Sequence, residues 1–225
     1  MSALTWYCGD THGDLSHIVR TFERAAQKPE AIVHLGDITP DAPLHEVLPE
    51  YLHDLFWWIP GNHDYDRPEL MARVFKSRLA NRCLHRRVMN VAGVRTAGLG
   101  GHFKGRIWMP PQAPEYKKRS RKVADDGAIW PEDIAQLSNN RAEVLVTHEA
   151  PTSYGRGSIA INDLAKALGV KRLYHGHHHV DYVSEINRGQ TIVVGVGFRS
   201  IVSEPGGLIC KGPRQRSFLP PPCRS

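Results

Sequence analysis

The chain of 225 residues has no apolar run near the roughly 18 residues that a membrane-spanning helix needs. Cysteine is scarce: Cys8, Cys83, Cys210 and Cys223 are scattered, and none stands in C-x-x-C spacing with another. That pattern excludes a zinc ribbon or a dense disulfide framework and fits reduced thiols in a cytoplasm. The opening Met1-Ser2-Ala3-Leu4 lacks a basic leader segment, and Gly9-Asp10 interrupts the apolar stretch behind it. No internal repeat is evident. A soluble, cytoplasmic protein is therefore expected. Charge is not extreme either: a formal +6 and a pI near 9.3 favour anionic partners only weakly.

What the chain does have is 41% hydrophobic residues, enough for one sizeable core. The expected organisation is a domain over residues 1–210 and a flexible, basic, Pro-rich tail over 211–225, where Pro, Arg, Lys and Ser take over. Short apolar runs at Leu4 to Cys8, Ala31 to Leu35 and Leu55 to Ile59 read as strands. Leu15 to Lys28 and Arg67 to Leu79 carry helical spacing, the first closed by Pro29. Hairpins follow over Val88 to Leu99, around Gly93, and over Val180 to Val196, around Asn187-Arg188-Gly189. Pro131 to Leu137 and a Ser158-capped segment to Leu168 read as helices, Glu143 to Thr147 and Val170 to Tyr174 as strands. Residues 102 to 126 lack periodicity and hold the basic run Lys117-Lys118-Arg119, Arg121 and Lys122.

Thirteen histidines are unusual less for their number than for their positions beside Gly or Asp at strand ends. Five strand ends carry oxygen or imidazole donors: Asp10 with His12, Asp37, Asn62, His148, and His177 with His179. Carboxyl ends of parallel strands share an edge, so these residues can converge there. The donors are carboxylate, imidazole and amide oxygen without thiolate, which suits Mn, Fe, Zn or Co and not Cu(I) or Fe–S clusters. Seven side chains exceed one tetrahedral ion and suit two ions about 3.5–4 Å apart.

In order, Asp10-Thr11-His12, Gly36-Asp37, Gly61-Asn62-His63-Asp64, His148 and Gly176-His177-His178-His179 reproduce the D-x-H, G-D, G-N-H-D/E, H, G-H-x-H pattern. The chain thereby resembles the calcineurin-like metallophosphoesterase superfamily over roughly its first 200 residues. The resemblance implies an α/β fold, a four-layer α/β/β/α sandwich of two mixed β-sheets flanked by helices. It also implies two divalent or trivalent ions, one held by Asp10, His12, Asp37 and His179 and the other by Asp37, Asn62, His148 and His177, with Asp37 bridging. Function would then be hydrolysis of a phosphomono- or phosphodiester through in-line attack by a bridging hydroxide, whose pKa the metals lower to about 7. His63, not needed as a ligand, is assigned to protonating the leaving oxygen, with Asp64 holding its tautomer. His178 is expected to point away from the ions, as side chains alternate in extended backbone.

Gly9-Asp10-Thr11-His12-Gly13 also looks like the opening of Ser/Thr protein phosphatases and dinucleoside polyphosphate hydrolases. Those continue G-D-x-V-D-R-G and G-N-H-E, whereas here Gly36-Asp37-Ile38-Thr39-Pro40-Asp41 lacks the arginine and Gly61 to Asp64 ends in aspartate. A small bacterial-type phosphoesterase is the closer resemblance. A non-catalytic scaffold of the same fold is the alternative, although no ligand position is replaced. His102 is a candidate for contacting the substrate phosphate. His34 reads as a packed core histidine, His17, His45, His53 and His85 as surface residues, and the Lys117 to Lys122 run as a solvated face. Nucleic acid is a partner the basic loop and tail would allow but do not favour, and no membrane partner is expected.

Overall fold

A computed structural model describes residues 4–112, 123–204 and 207–213. The basic run from Lys117 to Lys122, Cys223 and the tail from Arg214 onward lie outside the described residues. The chain opens with β1 (Thr5–Cys8), α1 (Ser16–Arg24), β2 (Ala31–His34), α2 (Leu44–Val47), β3 (Phe56–Trp58) and α3 (Pro68–Phe75). It continues with β4 (Arg87–Val91), β5 (Val94–Leu99), α4 (Val123–Asp126), α5 (Pro131–Ser138), β6 (Val144–Thr147) and α6 (Ile159–Leu168). Strands β7 (Arg172–His175), β8 (Tyr182–Ile186), β9 (Thr191–Gly195), β10 (Ile201–Ser203) and β11 (Gly207–Cys210) close it.

Two mixed sheets result, in the orders β11-β10-β1-β2-β3 and β4-β5-β6-β7-β9-β8. In the first, β1, β2 and β3 are parallel and β10 lies antiparallel to β1. In the second, β5, β6, β7 and β9 are parallel, with β4 and β8 antiparallel at the edges. Each central strand is buried on both faces, which explains its near-continuous apolar run.

The period-two alternation of a strand sorts the side chains into three cores. Trp6 and Cys8 of β1, with Ile32, Phe56 and Trp58, face Leu15, Ile18 and Val74 on the helical side of the first sheet. Tyr7, Val33, Val146, Tyr174 and Val194 fill the space between the sheets, where the Tyr7 and Tyr174 rings stack at 3.5 Å. Leu145, Leu173 and Val193 face Leu137 of α5 and Ile161, Leu164 and Leu168 of α6. The layers are therefore helix, sheet, sheet, helix. Full burial of each large aliphatic or aromatic side chain stabilises by about 1.5–3 kcal/mol.

Some elements depart from expectation. Helix α1 stops at Arg24, because Ala25 turns extended and its N–H closes on Thr21 and Phe22. Lys28, expected inside the helix, instead lies beyond its end, and its ammonium donates back to the Phe22 and Glu23 carbonyls of the last turn. The Arg67 to Leu79 helix divides into α3 and a 3₁₀ turn, Arg78–Arg82, started by Ser77, whose Oγ accepts from the Leu79 N–H. Strands β10 and β11 were not expected at all. Gly169 ends α6 at φ 74°, as its position implies. Among the described residues no helix is long and apolar enough to cross a membrane.

Candidate metal centre

The rim of the site is built from the loops that leave β1, β2, β3, β6 and β7. The two sheets bring the carboxyl ends of these strands to one place, so residues as far apart as Asp10 and His179 meet there: His179 Nε2 is 3.0 Å from Asp10 Oδ2. His179 Nε2 also lies 3.4 Å from His12 Nε2. A second group gathers around Asp37, with His148 Nε2 at 3.4 Å from its Oδ2 and 3.1 Å from Asn62 Oδ1. Donor atoms of Asp10, His12 and His179 lie within 4.8 Å of one another, as do those of Asp37, His148 and His177. Asp37 Oδ2 also faces the first set, 3.9 Å from His12 Nε2. All seven sequence-predicted ligands are thus near one another.

The donor set fits cations on its own chemistry. Two imidazole nitrogens face each other, and two buried carboxylates face imidazoles, so lone pairs converge in excess of the protons available to bridge them. Asp10 and Asp37 are 0% and 1% exposed. Burial by itself would raise both carboxyls, yet the charge of His148 and the hydrogen bonds to His179 and His148 respectively hold them below the ordinary range. In the metal-free chain His148 is pushed up to about 10: burial lowers it, but Asp37 and Asp10 more than compensate. His177 moves the other way, to about 4, through burial and the nearby His148 charge.

Backbone geometry shows how closely the loops are held. His12, Asp37, His177 and His179 all adopt φ between 44° and 68°, a left-handed conformation costing about 1–2 kcal/mol for a residue with a Cβ. A Cβ at Gly61 would collide with the Asp37 carboxylate, and one at Gly176 with that of Asp10. Glycine at these two positions lets the G-N-H-D and G-H-x-H turns close on the carboxylates. His34, buried as expected, ties the loops together: the Gly36 N–H donates to its Nδ1 at 3.2 Å and its Nε2 lies 3.1 Å from Thr11 Oγ1. With Nδ1 accepting, the proton sits on Nε2.

His63 lies at the mouth, with 48% of its side chain exposed, and here one expectation is corrected. The carboxylate on its Nδ1 is Asp66, at 2.6 Å, and not Asp64. Residues 63–65 form a 3₁₀ turn, in which neighbours in sequence face apart and residues three apart face together. Asp64 is 0% exposed and accepts from the N–H groups of Thr39 and Gly61, both at 2.8 Å, so it braces the G-D and G-N-H-D turns. Its pKa is raised to about 6 by burial and by the neighbouring Asp37 charge. His63 is pulled down by burial but lifted further by its hydrogen bond to Asp66 and by the Asp37 charge, and stands above its ordinary value.

His102 is beside the site, its ring 6.0 Å from that of His177, and its buried Nδ1 has no hydrogen-bond partner among the described residues. The pairing of Glu149 with His178 has no counterpart in the sequence reading. Strand β7 ends at His175 and the next turns are left-handed, so simple alternation does not apply to His178. It stacks on Tyr154 at 4.0 Å, and its Nε2 is 3.4 Å from Glu149 Oε1. Glu149, His177 and His178 form a third group of donors within 4.8 Å. Burial raises the Glu149 carboxyl, but the facing His178 and His177 hold it at about 2. The Thr-His-Glu order after β6 was the available signal. The four histidines read as surface residues are also corrected. His17 is 8% exposed, His45, His53 and His85 are half-buried, and their ring nitrogens meet the Asp14 carbonyl, Ser77 Oγ, the Leu48 carbonyl and the Gly100 N–H respectively.

Residues 4–181 match the calcineurin-like phosphoesterase family, and the chain belongs to it. It is 35% identical over 220 residues to an uncharacterized protein of Haemophilus influenzae, covering 90% of this chain and 95% of that one. Its fold is similar to that of a Thermus thermophilus protein, with a TM-score of 0.58 and 18% identity over 90% of this chain and 94% of the other. It is also similar to the fold of the phosphopantetheinyl hydrolase of Mycobacterium tuberculosis, with a TM-score of 0.53 and 12% identity over 88% and 92% of the two chains.

Proposed function

We propose that this chain hydrolyses phosphomono- or phosphodiesters at a two-metal centre. The observation that carries the reading is the meeting of two donor sets across one carboxylate, Asp37, whose Oδ2 faces both His148 and His12. Asp10, His12, Asp37 and His179 would hold one ion, and Asp37, Asn62, His148 and His177 the other. Bound there, Mn, Fe, Zn or Co ions supply Lewis-acid polarisation of the phosphoryl group and a water acidified to near neutrality.

The protein's own groups do the rest. Asp37 takes its Oδ1 out of play by accepting the His63 N–H at 2.8 Å, which fixes the distance between the cation cradle and the acid. His148 is oriented by the hydrogen bond between its Nδ1 and the Leu35 carbonyl at 2.8 Å, leaving Nε2 to the centre. Asp66 holds the His63 Nδ1 and raises its pKa, so the imidazolium keeps a proton on Nε2 for the departing oxygen. His102 is a contact for the non-bridging phosphate oxygens. Asp64 positions the loops without touching substrate.

The test is metal analysis of the purified protein together with hydrolysis of p-nitrophenyl phosphate and bis(p-nitrophenyl) phosphate after loading with manganese, iron or zinc. Two ions per chain and turnover of one of the esters are expected. His63→Ala should lower kcat by about 10²–10⁴-fold at unchanged metal content. A fully loaded protein inert toward both esters would sink the reading.

A further inference from the structure

A cavity of about 610 Å³ opens beside His12 and His63 and runs away from the ligand cluster, along the Thr39–Asp41 loop and helix α3. Its size falls within the roughly 300–1,000 Å³ of sites that take whole small molecules, well beyond what a bare phosphate fills. His63, the group assigned to the leaving oxygen, is in its wall, so whatever is attached to that oxygen extends into this space.

The charges in the wall are distinctive once their pairings are removed. Asp66 is engaged by His63 at 2.6 Å. Asp14 is engaged by Arg199 at 2.9 Å and by the Ser16 N–H at 2.9 Å. What remains is Arg67 and Arg73 against one exposed carboxylate, Asp41. Arg73 is half-buried and, among the described residues, held over the cavity by one bond, from its Nη1 to the Pro40 carbonyl at 3.0 Å, which leaves most of its five N–H groups unspent there. The Arg67 guanidinium makes no hydrogen bond or ion pair among the described residues. Two guanidinium groups with unspent donors in one pocket suit the planar, bidentate capture of an oxyanion.

We propose that this cavity is the leaving-group pocket for a phosphoester that bears a second anionic group, a carboxylate or another phosphate, bound by Arg67 and Arg73. The inference rests on the phosphoesterase reading and names its substrate class. Leu70 at the floor accommodates the carbon frame between the two anions.

The test compares phenyl phosphate, 4-carboxyphenyl phosphate and 1,4-phenylene bisphosphate as substrates of the metal-loaded protein. A second arm measures binding of phenylphosphonate against 4-carboxyphenylphosphonate, which cannot be turned over. The wild type should prefer the doubly anionic member of each set by about tenfold, and Arg67→Gln should erase most of that ratio. Arg73→Gln should act in the same direction; because the Arg67 guanidinium makes no hydrogen bond or ion pair among the described residues, its variant carries the test even if Arg73→Gln folds poorly. Equal ratios in wild type and Arg67→Gln would overturn the pocket. Turnover of phenyl phosphate with no preference between the phosphonates would sink the pocket while sparing the phosphoesterase reading. An Arg67-dependent phosphonate preference without turnover of any ester would do the reverse.

Discussion

The two donor sets use the same chemistry in different surroundings. Asp37 and His148 have side chains 2% and 0% exposed, and His148 is fixed from behind by the Leu35 carbonyl. In the other set Asp10 is equally buried, but His12 and His179 keep 31% and 25% of their side chains exposed and rest against the ring of Phe198 at 5.8 and 5.2 Å. The Asp37–His148 pair is closed to solvent, whereas His12 and His179 are partly open to it. Were two ions bound as proposed, the one beside the buried Asp37–His148 pair would exchange more slowly than the one beside His12 and His179.

Mutation of the carboxylate common to both halves should have the largest effect. Asp37→Ala is expected to drop bound metal below one ion per chain and abolish ester hydrolysis, whereas His12→Ala should keep one ion, in the enclosed set. Retention of two ions by His12→Ala, measured by elemental analysis after dialysis, would erase the distinction between the halves.

Acid offers a second, smaller probe. His34 is depressed to about 3 and His17 and His175 to about 4, in each case chiefly by burial. Between pH 6.5 and about 4 the unfolded chain binds protons that the folded chain refuses, so stability falls as pH falls. The slope is about 1.4 kcal/mol per pH unit for each such histidine. Urea unfolding of the metal-free protein at pH 7 and pH 5 should show this loss. A flat profile would mean that the buried rings find room for the extra proton.

The smallest contrast lies within the G-N-H-D turn. Asp64→Ala leaves the N–H groups of Gly61 and Thr39 unpaired and should cost about 1–3 kcal/mol in thermal or urea unfolding. Asp66→Asn, at the exposed end, should change stability by no more than about 0.5 kcal/mol. Because Asp66 holds the His63 pKa up, its loss should instead move the alkaline limb of kcat to lower pH. The opposite pattern, a stable Asp64→Ala and an unstable Asp66→Asn, would invert the roles given to the two aspartates.

Much of this was legible in the chain because each donor follows a short apolar run, and a buried strand that ends abruptly in Gly-Asp or Gly-Asn has a single rim to deliver its side chains to. What could not be read is spatial. That β1, β2 and β3 belong to one sheet and β6 and β7 to another follows from packing, as does the antiparallel insertion of β10 beside β1, a strand of three residues too short to show a period. Asp66 was missed because the 3₁₀ turn that brings it to His63 leaves no trace in composition. Arg67 and Arg73 read only as charged positions on a helix until the Thr39–Asp41 loop is placed opposite them.

The separation of Asp10 and His179 by 169 residues has a consequence for biosynthesis. At about 5–20 residues per second, the amino-terminal carboxylate leaves the ribosome on the order of ten seconds before its imidazole partner is translated. Until then a nascent chain lacks the last donors of the cluster, so the proposed two-ion centre could be completed only after most of the polypeptide has been made.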